Sequence, residues 1–495
     1  MKINKVTFAL AALMLAGTSV AAYAQRSDLV VGIVLEPPHL DPTAGAAGAI
    51  DDVVYANLFE GLTRIGRNGE VLPALAESWT VSGDGKVYTF KLHTGVKFHD
   101  GSAFDAEDVK FSLDRARADG STNAQKGLFA AIETVEIVDP ATVKVSLKKP
   151  EGAFLYNMGW GDAVIVAPET AAGNKEQPVG TGPFKFDHWA KGSEITLVRN
   201  PDYWGKPVAL DKAEFRIIPD TAAAIPAMLS GDVQAFSNMP AGDALGQFQA
   251  NPQFEVVIGT TEGETLLAMN NGKAPFNDIR VRQAISHALN REEIIAGNGI
   301  SGLGTPIGSH FSPANKAYVD LTATYPYDLA KAKALLKEAG LENGFSAKLY
   351  LPPVAYARDG GQVVASQLRQ IGVNAEIVPV EWADWLSGVF KDKNYDLTIV
   401  SHTEPNDIDI YSRPDYYFNY KNPAFNAVIE KLSATTDEAQ RNELYGEAQR
   451  ILAKDAVAGF LFELPKVGVW DARLQGMWHN APIQAIDLTD VRWKE

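Results

Sequence analysis

The chain has 495 residues and not one cysteine. That excludes disulfide staples, a thiol nucleophile and a lipid anchor on a cysteine, so stability must come from packed cores. Histidine is scarce too: the eight lie at 39, 93, 99, 188, 287, 310, 402 and 479. No two stand at metal-ligand spacing, so no metal site is expected. Basic residues number 45 against 61 acidic ones, a formal charge of −16. Such a surface repels nucleic acid and anionic membranes. No stretch approaches twenty apolar residues, which argues against a membrane span. There is no G-x-S-x-G elbow and no Gly-Lys-Ser/Thr phosphate loop, and the glycines from Gly299 to Gly308 do not form a dinucleotide fingerprint. No catalytic residue and no cofactor is expected.

What the chain does have begins with a leader. Lys2 and Lys5 precede an apolar Val6–Leu15 and an Ala22-Tyr23-Ala24 end. That is the pattern of a secretory signal peptide over residues 1–24, with the mature chain starting at Gln25. Loss of its two lysines makes the mature protein more acidic still. The rest is too long for one core, so two or three lobes are expected.

Local patterns follow in order. Leu29–Leu35 reads as a buried strand stopped by the proline-rich loop Glu36–Pro42. Residues 65–180 have an α+β texture. They hold alternating runs such as Val87–Leu92, tight Asp-Gly turns, and a helix capped by Asp105. Gly180-Thr181-Gly182 suggests close backbone approach. After Asn271 the pattern turns helical. It then alternates: strand Phe345–Leu351, helix, strand Val373–Val380, helix from Trp382, strand Tyr395–Val400. A β-α-β-α-β order implies parallel strands with right-handed crossovers. Helices around Phe425–Leu432 and from Asp437 lead to a late strand, Gly459–Leu464.

The strand ending at Val400 feeds Ser401–Phe418, SHTEPNDIDIYSRPDYYF. Ligand crevices in open α/β sheets lie beyond the carboxyl ends of strands. This loop carries Glu404, Asp407, Asp409, Asp415, Arg413, His402, Tyr411, Tyr416 and Tyr417, a density suited to recognition. Asp407-Ile408-Asp409 also has the look of an acid pair in some sugar-transferring enzymes. The plainer reading is two loop carboxylates, one of them capping. Trp382 and Trp385, at helical spacing, are core by default and pocket walls by alternative.

Several motifs occur together and in order. They are Leu75–Trp79, Phe98–Val109, Gly180–Phe184, Arg199–Trp204 and Pro275–Ala284. This series resembles the peptide-type (dipeptide, oligopeptide, nickel) extracytoplasmic solute-binding proteins of ABC importers. The resemblance implies an α/β two-lobe periplasmic-binding-protein clamp, type II-like, with an additional α+β subdomain in lobe one. Lobe one would hold residues 25–268 plus 468–495, and lobe two 269–467. The hinges would lie near Asn270–Gly272 and Leu464–Val469.

The same resemblance implies a monomer that binds its ligand in the periplasm and delivers it to permease and ATPase subunits. In the family's peptide binders a loop carboxylate takes the ligand amine. Glu404 falls at that place, with Asp407 second. An arginine after the first lobe-two strand is usual in dipeptide binders, and Leu351–Arg358 lacks it at the counted position. Arg358 or Arg413 would substitute. Glu36, Pro37 and His39 would face the ligand from lobe one. A peptide or related zwitterion is the expected ligand. An opine or sugar is the alternative in the same fold, and a secreted glycoside hydrolase the alternative of another class.

Overall fold

The computed structural model describes residues 26–494 apart from 46, 240–243, 301 and 405. The expected leader lies outside them. Among the described residues no helix is long and apolar enough to cross a membrane.

Among the described residues three sheets of four or more strands organise the molecule. The first orders Phe254–Gly259, Lys466–Asp471, Ala235–Phe236, Asp28–Ile33, Lys212–Ile217, Glu194–Arg199 and Phe184–Ala190. Its central strand Asp28–Ile33 is parallel to both neighbours, and the rest pair antiparallel. A separate four-stranded antiparallel sheet, Ala76–Val81, Val87–Leu92, Thr142–Leu147 and Ile132–Asp139, lies within the 65–180 region. The helix Ala106–Arg117 packs on it. Asp105 and Asp108 close a reciprocal cap at its start. Its buried Val109, Leu113 and Ala116 join Phe90, Val143 and Val145 in one core.

The second sheet orders Thr305–Pro306, Ala458–Glu463, Glu264–Met269, Leu397–His402, Phe345–Leu351 and Val373–Pro379. Phe345–Leu351 runs parallel to both Val373–Pro379 and Leu397–His402, as the alternation implied. Glu264–Met269 is buried at all six positions. Its side chains alternate between faces. Leu267 and Met269 enter a core under the helices Ile279–Ala288 and Ala355–Arg369, while Leu266 and Ala268 enter another under Pro423–Ala434 and Glu438–Lys454. A strand covered on both faces reads as one apolar run.

Three details depart from expectation. The chain passes from first to second sheet at residues 260–263 and returns at 464–465. The first crossing is thus earlier than the change of texture at Ala268–Asn271, because Glu264–Met269 is itself a central strand of the second sheet. The strand before the recognition loop continues to His402, drawn on by pairing of His402 with Glu264. The helix from Trp382 is one short turn, Trp382–Asp384, followed by a π-helix, Trp385–Lys391. Trp385 turns inward and is buried, while Trp382 remains 39% exposed.

Candidate ligand-binding site

The two crossings run side by side. Thr261 N donates to Glu463 at 3.1 Å, and Leu464 N donates to the Gly263 carbonyl at 2.7 Å. Each crossing delivers acids. Glu262 and Glu264 come from the first, Glu463 from the end of the returning strand, and all three are buried. The recognition loop adds Asp407, whose side chain is 10% exposed. Among the described residues no lysine or arginine nitrogen comes within 4 Å of these four carboxylates. Burial therefore dominates their titration. It raises Glu262 and Glu463 to about 7 and Asp407 to about 8, and pushes Glu264 well up. Mutual repulsion adds to the shift at Glu262, Glu264 and Glu463. Lys466, at the returning crossing, is buried and donates to the Trp478 carbonyl. Burial lowers it to about 8.

Around Asp407 lies a polar cluster set in aromatics. His310 Nε2 stands 2.7 Å from Asp407 Oδ1, and His310 Nδ1 meets the Tyr411 hydroxyl at 3.1 Å. On the other side His402 Nδ1 is 3.8 Å from Asp407 Oδ2, and its Nε2 is 2.9 Å from the Tyr417 hydroxyl. Burial lowers both rings, His310 to about 3, so both are neutral at ordinary pH. Tyr411 and Tyr417 stack on Phe418 at 4.5 and 4.3 Å. Both tyrosines are thus core residues with one polar tip spent on a histidine. Tyr416 is only partly buried beside them. Trp385 gives its indole N–H to Thr398 Oγ1 at 3.0 Å.

The structure brings together Glu404, Asp407, His402, Tyr411, Tyr416 and Tyr417. Glu404 is exposed and takes the N–H of its own neighbour Thr403. Of the two loop carboxylates Asp407 and Asp409, Asp407 is not a capping one. It precedes the 3-10 turn Ile408–Ser412 but makes no side-chain cap, because His310 takes the carboxylate. Asp409 is bound by Arg413, whose Nε and Nη2 reach it at 3.0 and 3.1 Å. Arg358 is likewise engaged, by the Pro352 and Val380 carbonyls and by Glu381.

From the lobe-one set, Glu36 accepts from Trp189 and Gly192 at 3.0 and 2.8 Å, within the first-sheet region. Pro37 is buried, and His39 accepts from Asp41 N. Glu262, Glu264, Glu463 and His310 do not stand out in the sequence. The signal available is that Glu262-Gly263-Glu264 puts two acids at the head of an apolar run.

A model of the bacterial extracellular solute-binding proteins, family 5 Middle, matches residues 70–426. A dipeptide-binding protein of Escherichia coli strain K12 is 32% identical over 500 residues, covering 90% of this chain and 91% of that protein. A glutathione-binding protein of Pectobacterium atrosepticum is 30% identical, covering 94% and 95%. Among solved structures, the periplasmic binding protein DppA of Helicobacter pylori in complex with the peptide STSA has a TM-score of 0.82 at 27% identity, covering 95% of this chain and 99% of that one. A binding protein from A. tumefaciens R10 in complex with agropinic acid has a TM-score of 0.81 at 27% identity, covering 94% and 99%. These neighbours share the periplasmic-binding-protein fold that the motif series implied. The chain belongs to the bacterial extracellular solute-binding proteins of family 5, and it is a solute-binding subunit of the ABC-importer type.

Proposed function

We propose that the ligand is a peptide or related zwitterionic amino-acid derivative, held by its ammonium group at the acidic end of the second sheet. The observation that carries this reading is the set of carboxylates at the two crossings with, among the described residues, no lysine or arginine within ion-pair distance. A cation arriving there relieves buried charge, and its pull strengthens as water leaves. Glu404, exposed at the mouth of the loop, is the first contact for that ammonium, and Asp407 stands behind it. The similarity to dipeptide- and glutathione-binding proteins supports a ligand of this class.

The chain acts as a hinged clamp. Lobe one is built on the first sheet and the 65–180 sheet, lobe two on the second sheet, and the twin crossings at 260–263 and 464–465 serve as hinge. It is a monomer released to the periplasm after loss of residues 1–24, and it passes its ligand to a membrane permease and its ATPase. It performs no turnover.

Both candidate arginines already hold partners of their own. A ligand carboxylate therefore meets no free guanidinium from Arg358 or Arg413. Simple dipeptides bind more weakly than longer peptides or opine-like conjugates, which make up the loss elsewhere. Calorimetry with a panel of dipeptides, longer peptides, opines and oligosaccharides tests this, using the parent and Glu404→Gln. The expected result is saturable binding of an amine-bearing ligand, weakened by about 2–5 kcal/mol in Glu404→Gln. Tight binding of a neutral oligosaccharide, unchanged in Glu404→Gln, would overturn the reading.

A further inference from the structure

Deeper than Glu404, three side chains from separate parts of the chain converge. Glu264 opens a central strand, His310 follows the short strand Thr305–Pro306, and Asp407 lies in the recognition loop. Each offers a ligand atom, and these atoms lie within 4.8 Å of one another. Four-coordinate zinc, with ligands at about 2.0–2.1 Å, places its donor atoms about 3.3 Å apart. The 2.7 Å separation of His310 Nε2 and Asp407 Oδ1 needs only a small opening to admit an ion.

Three features favour a metal over a simple hydrogen-bonded cluster. Glu264 is 1% exposed, and its Oε2 has no hydrogen-bond partner among the described residues. An orphaned carboxylate oxygen at such depth is costly unless something positive meets it. Second, the outer nitrogen of His310 is fixed by the Tyr411 hydroxyl at 3.1 Å. Metal-bound histidines are oriented in this way, the second nitrogen tied so that the first faces the ion. Third, His402 stands at the far oxygen of Asp407 and is itself tied to Tyr417.

We propose that Glu264, His310 and Asp407 form a site for a divalent transition-metal ion, with Zn²⁺ as its probe. Tyr411 is the positioning residue. One nitrogen and two carboxylates, leaving a fourth position open, suit zinc or a neighbouring first-row ion better than calcium or magnesium. The inference does not rest on the peptide reading, but it draws Glu264 and Asp407 from the same acidic set and leaves Glu404, Glu262 and Glu463 for a ligand amine.

The test uses the full mature chain, dialysed against a chelator and then titrated with ZnCl₂. One zinc per chain is expected, with a rise in thermal midpoint, and Co²⁺ in its place should give the visible absorption of a four- or five-coordinate ion. Glu264→Gln keeps the shape and should abolish stoichiometric binding, as should His310→Ala. Tyr411→Phe leaves all three ligands in place and should weaken zinc by roughly 10–100-fold. The exposed His188, beside Asp187 and Glu194, is a competing surface site. His188→Ala should change nothing. Absence of saturable binding in the parent would overturn the proposal, and so would zinc held equally well by Glu264→Gln, or binding lost with His188→Ala.

Discussion

Glu60 and Glu264 are both carboxylates drawn into the protein, Glu60 partly and Glu264 wholly, and the protein treats them in opposite ways. Glu60, in the first-sheet region, accepts from the Thr181 hydroxyl at 2.8 Å, the Tyr203 hydroxyl at 2.8 Å and the Trp204 indole at 2.9 Å. Those donors come from two of the sequence motifs, Gly180–Phe184 and Arg199–Trp204. Burial raises the Glu60 carboxyl, and the three hydrogen bonds pull it back. Glu264, at the crossing, has an oxygen with no partner among the described residues and three acidic neighbours, Asp407, Glu262 and Glu404, that push its titration further up. Burial of a charge therefore does not mark a binding site. What sets Glu264 apart from Glu60 is burial without a partner, since a structural carboxylate such as Glu60 comes with its donors.

The largest test of the contrast is Glu60→Ala. It strands three donors around a largely enclosed space, at a cost of about 1–3 kcal/mol for each group left unsatisfied. Water can reach some of them, so the expected loss of folding stability is about 3–5 kcal/mol. Denaturant titration measures it, and calorimetry should find ligand affinity unchanged. A variant as stable as the parent would break the comparison, since Glu60 would then be no more structural than Glu264.

Next comes a pH effect from the same structural region. His99 is held between Gly180 N, which donates to Nδ1 at 3.2 Å, and the Gly182 carbonyl, 3.0 Å from Nε2. The neutral ring satisfies both. Burial, aided by Lys185, lowers its pKa from 6.5 to about 4. The unfolded chain thus binds the proton more readily than the folded one between these values. His99 contributes stability in full above pH 6.5, and loses it as pH falls towards 4, about 3 kcal/mol in all. Denaturant midpoints from pH 7 to pH 4.5 should fall less in His99→Gln than in the parent. Parallel curves would show that the ring is free to protonate in place.

Glu264→Gln approaches the contrast from the other side. Removing a buried carboxyl whose charged form is opposed by burial and by its acidic neighbours should raise stability without ligand or metal in mildly alkaline buffer, by about 1–2 kcal/mol. Thermal melting of chelator-treated protein would show this. A fall in stability would mean the carboxylate is satisfied after all, and its resemblance to Glu60 would replace the difference.

Glu60 and Glu264 also differ in how far the sequence reveals them. The donors of Glu60 sit in Gly180–Phe184 and Arg199–Trp204, and the glycines of the first stretch already signal close backbone approach. A Cβ at Gly180 or Gly182 would come within 2.0 or 2.4 Å of the Leu58 or Asn57 carbonyl oxygens. Periodicity likewise reveals the parallel strands Phe345–Leu351 and Val373–Pro379, since every side chain reports its own face. The cluster at the crossings is different. Glu264, His310, Asp407 and Glu463 are far apart in the chain, and only the order of strands in the second sheet brings them together. No in-chain spacing encodes that order. The loop Ser401–Phe418 is found by its position after a strand, but which of its polar groups are free depends on tertiary partners. His310 takes Asp407, and Arg413 turns to Asp409 rather than to a ligand.

Arg413 gives the smallest effect and the finest division within the loop. Its pair with Asp409 spans four residues, and both side chains are close to half exposed, 51% and 44%. An exposed pair at that spacing contributes about 0.3–0.5 kcal/mol, because water screens the attraction and two long side chains lose freedom. The cation also lies 5.7 Å from the Tyr416 ring, a contact of similarly small value at an exposed site. Arg413→Ala should therefore change folding stability by less than about 1 kcal/mol. If Asp409 holds the guanidinium and no ligand carboxylate does, affinity should also change little across the peptide and opine panel. Salt dependence gives a second reading. The pair weakens as ionic strength rises, so the small stability difference between parent and Arg413→Ala should vanish in high salt. A large, ligand-specific loss of affinity in Arg413→Ala would show instead that the arginine leaves Asp409 for a ligand carboxylate. The loop would then supply both ends of the recognition, and its exposed face would belong with Glu404 rather than with the surface.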